Sequence, residues 1–208
     1  MPTQRSAEAG RPMEFGQVLR RRRMIRSYEA RPVPSHAIDA VLAAALRAPT
    51  AGFTQGVSLL VLTGETDREA FWRLTAEADG GWLRGMRSAP VLILVWTSEE
   101  AYLDRYAEPD KGWIDRDPAR WSAPYWFVDA GMASMAALLS AVDQELGACF
   151  FGIPVDRIGA VREAYEVPMS QLSVGVISLG YQRSAGIAGS PARRPRKTTS
   201  EVIHRGSW

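Results

Sequence analysis

The segment from Trp126 to Leu146, WFVDAGMASMAALLSAVDQEL, is the part of the sequence that most restricts the possible folds. Its large apolar residues recur at steps of four and three, which is the spacing of one helix face: Val128, Met132, Met135, Leu139, Val142 and Leu146. Most other positions carry glycine, alanine or serine, so neighbouring elements can approach closely on several sides. The pattern predicts a long central helix over 126–146 that is buried nearly all round.

Short apolar runs indicate the strands that this helix packs against. Residues 57–64 and 89–96 are rich in branched side chains and bounded by chain breakers, so they are predicted to be buried strands of one sheet. A helix is predicted between them, around 67–78. After the central helix come a short segment, ACFFG, to which we assign no element, a helix near 155–165 and a third strand over 171–181.

The N-terminal part carries a helical pattern that ends in a loop. Ser35 is predicted to cap a helix whose apolar spacing continues until Pro49 stops it. Residues 48–56, APTAGFTQG, are predicted to be a loop that joins this helix to the first strand. Residues 98–124 are polar and aromatic without a sustained period, which predicts a long loop.

Size and composition indicate one cytoplasmic globular unit. The chain has 208 residues, of which 46% are hydrophobic and 23% charged, enough for one substantial core. We expect residues 1–13 to be frayed and 14–208 to form a single domain. Cys149 is the only cysteine, which excludes an intrachain disulfide and suits a reducing cytosol. No apolar signal segment is present, and no segment is expected to provide the roughly 20 apolar residues of a membrane span.

Two clusters of arginine dominate the charge pattern. Residues 20–26, RRRRMIR, follow a short amphipathic helix, and residues 193–197, RRPRK, lie in the C-terminal tail. Either cluster alone reads as a solvated face, whereas two of them could hold the phosphate of a nucleotide or flavin. A nucleic-acid partner is disfavoured because the net charge is only +2 and aromatic residues are not interleaved with the arginines.

The sequence offers no strong acid, base, nucleophile or metal site of its own. Its two histidines, His36 and His204, lack metal-ligand spacing, and Cys149 lies in an apolar segment that predicts a buried, inert thiol. No dinucleotide-binding or P-loop glycine motif is present. If the protein is an enzyme, a bound cofactor is therefore expected to carry the reaction.

Four segments in the same order resemble the FMN-dependent nitroreductase family from Glu14 to Trp208. RRMIRSY, 22–28, is similar to the family's opening Arg-Arg-Ser-x-Arg-x-Phe/Tyr motif, and APTAGFTQG is similar to its Ala-Pro-Ser-x-x-Asn-x-Gln-Pro loop. Residues 126–152 resemble the central helix and the turn after it. SVGVISLGY together with the basic tail resembles the last strand and the C-terminal extension.

The resemblance implies an α+β fold, in which a mixed, mainly antiparallel sheet is flanked by helices and an extended C-terminal tail follows the last strand. It also implies an obligate homodimer with FMN bound at the subunit interface, and NADH or NADPH as hydride donor. The implied partners are a second copy of the chain and a small-molecule electron acceptor, with no nucleic acid and no membrane.

The resemblance also implies which residues surround the cofactor. Arg22, Arg23, Met24 and Arg26 would meet the phosphate, the ribityl chain and the pyrimidine edge, together with Arg194 and Arg196 from the tail. The partner subunit would line the ring with loop residues Pro49, Thr50, Ala51, Phe53 and Gln55. Phe151 and Gly152 would present backbone N–H groups toward flavin N5, and no side chain is expected to act as the catalytic group.

Several positions depart from the family pattern. Met24 stands where serine is usual, Phe53 where asparagine is usual, Gly56 where proline is usual and Thr198 where proline is common. Four aromatic residues of the 98–124 segment are expected either to cover the open flavin face or to pack as an ordinary surface loop: Tyr102, Tyr106, Trp113 and Trp121.

The function implied is hydride transfer from NAD(P)H through FMN to a nitroaromatic, a quinone or another electron-poor acceptor, in a ping-pong reaction. Two alternatives remain open at this point. The first is a flavoenzyme of the same fold with different chemistry, such as peptide-heterocycle oxidation, dehalogenation or a deazaflavin-linked reaction. The second is a non-catalytic flavin-binding protein.

Overall fold

A computed structural model of the chain describes residues 13–75, 84–183 and 194–208. In these ranges it contains six α-helices: α1 Phe15–Arg21, α2 Ser35–Leu46, α3 Glu65–Thr75, α4 Glu99–Ala107, α5 Tyr125–Asp143 and α6 Ile158–Ala164. The four strands are β1 Val57–Leu62, β2 Val91–Thr97, β3 Gly147–Phe151 and β4 Leu172–Gly180. The predicted α+β class, with a sheet between helical layers, is confirmed.

The sheet has the order β1-β2-β4-β3, and every pair of named strands is antiparallel. Strand β2 is central and buried along its whole length, because its run of valine, leucine and isoleucine meets apolar layers on both faces. A single parallel bridge joins Met24, outside the strands, to Ala148 of β3. The predicted mainly antiparallel sheet is therefore confirmed.

Two elements were missed by the sequence analysis. The first four residues of the unassigned segment ACFFG belong to strand β3, which pairs with β4 from Gly147 to Phe151. The predicted loop over 98–124 begins with helix α4, whose first turn is capped by Ser98, since its Oγ accepts from the Ala101 N–H at 3.3 Å. Both elements are short, so neither contains enough repeats for a period to stand out.

Several predicted boundaries move by a few residues. The helix predicted around 67–78 is α3, Glu65–Thr75, and the strand predicted over 171–181 is β4, Leu172–Gly180. Ser35 does not cap α2: it is the first helical residue, the preceding Pro34 occupies the cap position, and no side chain caps the helix. The predicted frayed start lies outside the described residues except Met13, whose N–H donates to Asp143 Oδ1 at 3.0 Å.

Helix α5 packs through its smallest residues. Ala130, Ala133, Ala137 and Ala141 are all at most 3% exposed, and they belong to a core cluster with α2 and one face of the sheet. A second cluster on the opposite face contains Phe71 and Trp72 of α3. Alanine lets the axis of α5 lie close to its neighbours, which fixes the helix over the middle of the fold.

The prediction that α5 is buried nearly all round is wrong for the single chain. The large apolar side chains at its surface are exposed: Val128 43%, Met132 38% and Met135 46%. The close contact made by the alanine face leaves no room for them on the inner side, so they point outward. Phe15 and Leu19 of α1, a helix that contacts α5, are also exposed, at 66% and 51%.

Helix α5 is also long and apolar enough, by length and composition alone, to cross a membrane, with a mean hydropathy of 1.3. The sequence-based expectation that no segment has the length and apolar composition of a membrane span was therefore wrong. Core helices of folded proteins pass the same test, and α5 packs against α2 and all four strands.

Cys149 lies on β3 and is fully buried in the second core cluster. Burial raises the pKa of its thiol, and the charge of the nearby Arg26 opposes this effect more weakly. The thiol is therefore kept protonated at neutral pH, as expected for an inert structural cysteine.

The extended segment 22–28 is fixed to the sheet by a buried tyrosine. Tyr28 is fully buried, and its Oη lies 2.7 Å from the Ile25 carbonyl oxygen, 3.1 Å from the Ser178 carbonyl oxygen and 2.8 Å from Ser178 Oγ. The Ile25 N–H donates to the Ala148 carbonyl at 2.9 Å. These bonds join the N-terminal arginine segment to both β3 and β4.

We predict that Tyr28→Phe lowers the free energy of unfolding by roughly 1–3 kcal/mol, because it leaves buried polar groups without their partner. Urea unfolding of the purified protein measures this change. Tyr165→Phe is the matched control, since its hydroxyl donates to the Asp67 carbonyl near the surface, and we expect a loss below about 1 kcal/mol. Equal losses in the two variants would contradict the anchoring role of Tyr28.

Candidate functional site

The predicted arginine segment lies beside β3, the strand that leads into the predicted N5 turn. Met24 is bridged to Ala148 of β3, and the two chain segments run parallel at this point. After Ile25 the segment turns toward the end of β4, where Tyr28 is bridged to Gln182. Two of the four sequence segments that the family resemblance singled out therefore meet within one chain.

The arginines of this segment differ in exposure. Arg22 and Arg26 are half-buried, and Arg26 donates from Nη1 to the Met24 carbonyl at 3.3 Å. Arg23 is exposed, and its Nη1 donates to the carbonyls of Arg20 and Arg22 at 2.6 and 3.0 Å. Within the described ranges none of these three guanidinium groups forms an ion pair with a carboxylate. Their positive charge is therefore not neutralised inside the described part of the chain.

Met24 has a structural reason to differ from serine. Its half-buried side chain packs against both core clusters, so it fills the space where the arginine segment crosses the end of the sheet. A serine there would leave a gap between the clusters. The backbone of Met24 still offers polar groups, since its carbonyl accepts from Arg26.

The turn after β3 opens to space. Phe151 is 8% exposed, and its ring stacks on Trp72 with centroids 5.7 Å apart and an interplanar angle of 11°. Gly152, the next residue, is exposed, and no atom lies within 4 Å of the position that a Cβ would take. A buried ring thus fixes the backbone just before a position where a ligand can approach it closely.

The predicted ring-lining loop is compact and presents Phe53 outward. Residues Ala51–Phe53 form a 3-10 turn, and Gln55 N–H donates to Thr50 Oγ1 at 3.0 Å. Phe53 is 76% exposed, and Pro49 and Gln55 are also exposed. Phe53 and Gln55 both adopt positive φ, at 56° and 55°.

Within one chain, this loop and the Gly152 turn do not meet. The loop leads into β1 and the turn leaves β3, and both lie at the end of the sheet where β4 begins. However, β1 and β3 are the two outermost strands of the order β1-β2-β4-β3. Three strand spacings of about 4.8 Å place them about 14 Å apart at the least.

The described part of the tail is exposed. Arg194 and Arg196 both lie on the surface, and the short 3-10 turn that follows is held by a capping box between Thr198 and Glu201. Arg193, the first residue of the RRPRK cluster, lies outside the described residues. Trp208 is fully exposed and stacks on His204 at a centroid distance of 4.3 Å.

The aromatic residues of 98–124 pack on one another. The ring centroid of Tyr106 lies 4.3 Å from that of Trp121 and 4.9 Å from that of Trp113. Tyr102 is fully buried, and its ring contacts those of Trp121 and Trp126. These rings therefore form a packed cluster, and the interpretation that they cover the open flavin face stays a prediction. Helix α4, which carries Tyr102 and Tyr106, lies against the 49–55 loop, since Arg105 Nε donates to the Gly52 carbonyl at 2.8 Å.

The structure adds one residue that the sequence analysis did not select. Asp129 of α5 is 1% exposed, and its Oδ2 accepts from the Ala51 N–H at 2.7 Å and from Tyr102 Oη at 2.8 Å. With Asp143 at the helix end, it is one of two charged residues in α5. The sequence did contain a signal for this residue, since Asp129 is the one acidic residue in the interior of a helix that was predicted to be buried.

The described residues offer no metal centre. In the ranges 13–75, 84–183 and 194–208, no group of three or more His, Cys, Asp or Glu residues is placed to hold a metal ion. The chemistry that this arrangement allows is binding: unpaired guanidinium groups, an open backbone turn and an exposed loop.

Comparisons with known proteins agree with this geometry. The chain matches the model of the Nitroreductase family over residues 19–181. A Methanothermobacter thermautotrophicus protein, provisionally named NADH dehydrogenase/NAD(P)H nitroreductase, is 28% identical over 171 residues, which are 81% of this chain and 78% of that protein.

Two solved structures are similar in fold. Nitroreductase CinD from Lactococcus lactis, in complex with nicotinic acid, aligns with a TM-score of 0.74 at 20% identity, over 93% of this chain and 100% of that chain. A provisionally named nitroreductase from Desulfovibrio desulfuricans, in complex with FMN, aligns with a TM-score of 0.70 at 21% identity, over 93% and 97% of the two chains. The fold, the order of the segments and the family match over most of the chain lead to one conclusion: this protein is a member of the nitroreductase family.

Proposed function

We propose that the protein is a homodimeric, cytoplasmic FMN-dependent oxidoreductase that passes hydride from NADH or NADPH through the flavin to a small electron-poor acceptor such as a nitroaromatic or a quinone. The observation that carries the proposal is the division of the candidate site. The arginine segment and the Gly152 turn lie at one edge of the sheet, and the exposed 49–55 loop lies at the other.

The arginines fit the phosphate end of FMN. A phosphate dianion in a partly buried site needs several charge-assisted donors. Arg22 and Arg26 are half-buried and have no carboxylate partner among the described residues, and Arg194 and Arg196 are equally unpaired there. We assign the phosphate to Arg22 with the two tail arginines, and the pyrimidine edge to Arg26.

The two halves of the site fit a flat ring. Gly152 carries no side chain at a position surrounded by open space, so a planar ligand can reach the backbone of the turn. Phe53 offers an exposed apolar surface for the other side of the cleft. Such a cleft, apolar with few polar groups, suits an amphipathic ring system.

A second copy of the chain supplies the missing half. Val128, Met132 and Met135 form an exposed apolar stripe on α5, and α1 adds Phe15 and Leu19 close by. Contiguous apolar surface of this kind marks a protein interface. Association through the stripe would cover it and bring the 49–55 loop of one subunit to the Gly152 turn of the other.

The chain's own residues would bind and orient rather than react. Bound FMN supplies reversible hydride transfer at N5, the chemistry that no side chain here provides. The backbone N–H of Gly152, at the turn that Phe151 leads into, would hold the ring at this position. The Arg26 guanidinium would stabilise the negative charge that reduction places on the pyrimidine edge, which favours the reduced form.

The relatives support this assignment. One bears a name that refers to NADH and NAD(P)H, and one structural neighbour was solved with FMN. The acceptor follows only from the family resemblance, so nitroaromatics and quinones are the compounds to test first. Steady-state initial rates with NADH or NADPH and such an acceptor should give the parallel lines of a ping-pong reaction.

We predict that Arg22→Ala or Arg196→Ala weakens FMN binding by about 2 kcal/mol, roughly thirtyfold in Kd, because each removes a charge-assisted contact to the phosphate. Quenching of flavin fluorescence measures Kd. Arg73→Ala, an exposed arginine at the end of α3, is the control and should bind FMN like the wild type. A wild-type chain that is colourless and binds no added FMN would overturn the proposal, and unchanged Kd values in both variants would remove these arginines from the site.

We predict that Met135→Glu converts the dimer to monomers and abolishes FMN retention, because the new charge would be buried in the interface. Sedimentation velocity and the flavin absorbance band of the same sample provide the two readouts. Met169→Glu replaces an 81% exposed methionine outside the stripe and should leave the dimer intact. A dimeric, flavin-loaded Met135→Glu protein would show that α5 is not the interface.

A further inference from the structure

Asp129 is a buried carboxylate that the proposed flavin chemistry does not use. It lies within an otherwise apolar stretch of α5, and it is 1% exposed. A carboxylate in such a place is costly unless strong hydrogen bonds compensate for the lost water. Its Oδ2 receives two of them, from the Ala51 N–H and from the Tyr102 hydroxyl. The carboxylate therefore connects α5, α4 and the 49–55 loop at one atom.

Further hydrogen bonds hold the loop at Gly52 and at Gly56, the residue that follows it. Arg105 Nε of α4 donates to the Gly52 carbonyl at 2.8 Å. The Gly56 carbonyl accepts from Thr97 Oγ1 and from the Ser98 N–H, both at 3.1 Å.

The fit around Gly56 is tight. A Cβ at Gly56 would lie 2.5 Å from the Tyr102 ring, so only glycine fits beneath that ring. This accounts for the absence of the proline that is usual at this position in the family resemblance. The loop is thus fixed at positions 51, 52 and 56.

Two residues between these fixed points have an unfavourable backbone conformation. Phe53 and Gln55 both have positive φ, at 56° and 55°. For residues with a side chain this region is sparsely populated, and it persists only where surrounding contacts impose it. In this conformation the Phe53 side chain points away from the core and is 76% exposed.

Helix α4 is itself held in place by aromatic packing. Tyr102 and Tyr106 lie on this helix, and their rings contact Trp121, at centroid distances of 6.0 and 4.3 Å. Trp126 of α5 contacts both Tyr102 and Trp121. The cluster therefore fixes the Tyr102 hydroxyl relative to α5, so that the hydroxyl and the carboxylate remain within hydrogen-bonding distance.

We infer that Asp129 is a positioning residue for the flavin site: its carboxylate holds the 49–55 loop in the strained conformation that presents Phe53 and Gln55 to the cofactor of the partner subunit. The inference rests on the proposed function for the identity of the ligand. The anchoring of the loop by Asp129 is a separate claim, and it can be measured without flavin.

The test uses the full-length dimer with three substitutions at this point and one control. Asp129→Ala removes both acceptor bonds, Asp129→Asn keeps an acceptor oxygen, and Tyr102→Phe removes one donor while keeping the ring. Asp143→Ala is the matched control, because Asp143 lies on the same helix and accepts a backbone N–H, that of Met13, far from the loop. The readouts are hydrogen exchange of the Ala51 amide in flavin-free protein and the Kd for added FMN.

We expect Asp129→Ala to speed exchange of the Ala51 amide and to raise the Kd for FMN, each by at least about tenfold, because a charge-assisted hydrogen bond is lost. Asp129→Asn should recover most of both effects, and Asp143→Ala should match the wild type. If Asp129→Ala does not fold, Tyr102→Phe provides the test. We then expect the Ala51 exchange rate and the Kd for FMN each to rise by about threefold to tenfold.

Two results would overturn the inference. One is Ala51 exchange at the wild-type rate in a folded Asp129→Ala or Tyr102→Phe protein. The other is faster exchange with an unchanged Kd for FMN, which would make the contact merely structural. If the wild-type dimer binds no FMN, the proposed function fails, and the role assigned to Asp129 in the flavin site fails with it, whereas the exchange rates still report whether Asp129 anchors the loop.

Discussion

The close contact between the alanine face of α5 and the sheet determines much of the rest of the structure. Ala133, Ala137 and Ala141 let the helix lie near its neighbours, and this arrangement directs Val128, Met132 and Met135 outward. A helix at the centre of the fold thereby carries an apolar surface that one chain leaves exposed. Under the proposed function this surface would form the interface with a second copy, because its exposure to solvent is unfavourable.

Sheet topology and association together explain how a flavin site could form. The order β1-β2-β4-β3 separates the 49–55 loop from the Gly152 turn by the width of the sheet, although both lie at the same end. Within one subunit the arginine segment is tied to β3 and the loop is tied to Asp129. In the proposed dimer, docking of two chains would therefore bring together two halves that are each held in place by contacts within their own chain.

Elements with a strong local sequence pattern were predicted well. Short elements, and features that depend on contacts between residues distant in sequence, were missed. The apolar runs of β1, β2 and β4 and the period of α5 were sufficient to place these elements. Strand β3 has five residues and helix α4 nine, too few for a period to emerge. The orientation of α5 was misjudged because large apolar residues were assumed to face the core, and the role of Asp129 depends on contacts with Ala51 and Tyr102 that are distant in sequence.

The central claim, that each flavin site is built from two chains, is tested most directly by a mixed dimer. One chain carries Arg22→Ala with Arg26→Ala, its partner carries Phe53→Asp, and two affinity tags isolate the heterodimer. If the sites are shared, one site collects both defects and the other has none, so the heterodimer binds one FMN with wild-type affinity while both parent homodimers bind weakly. A heterodimer with no wild-type site would mean that each flavin is held within a single chain.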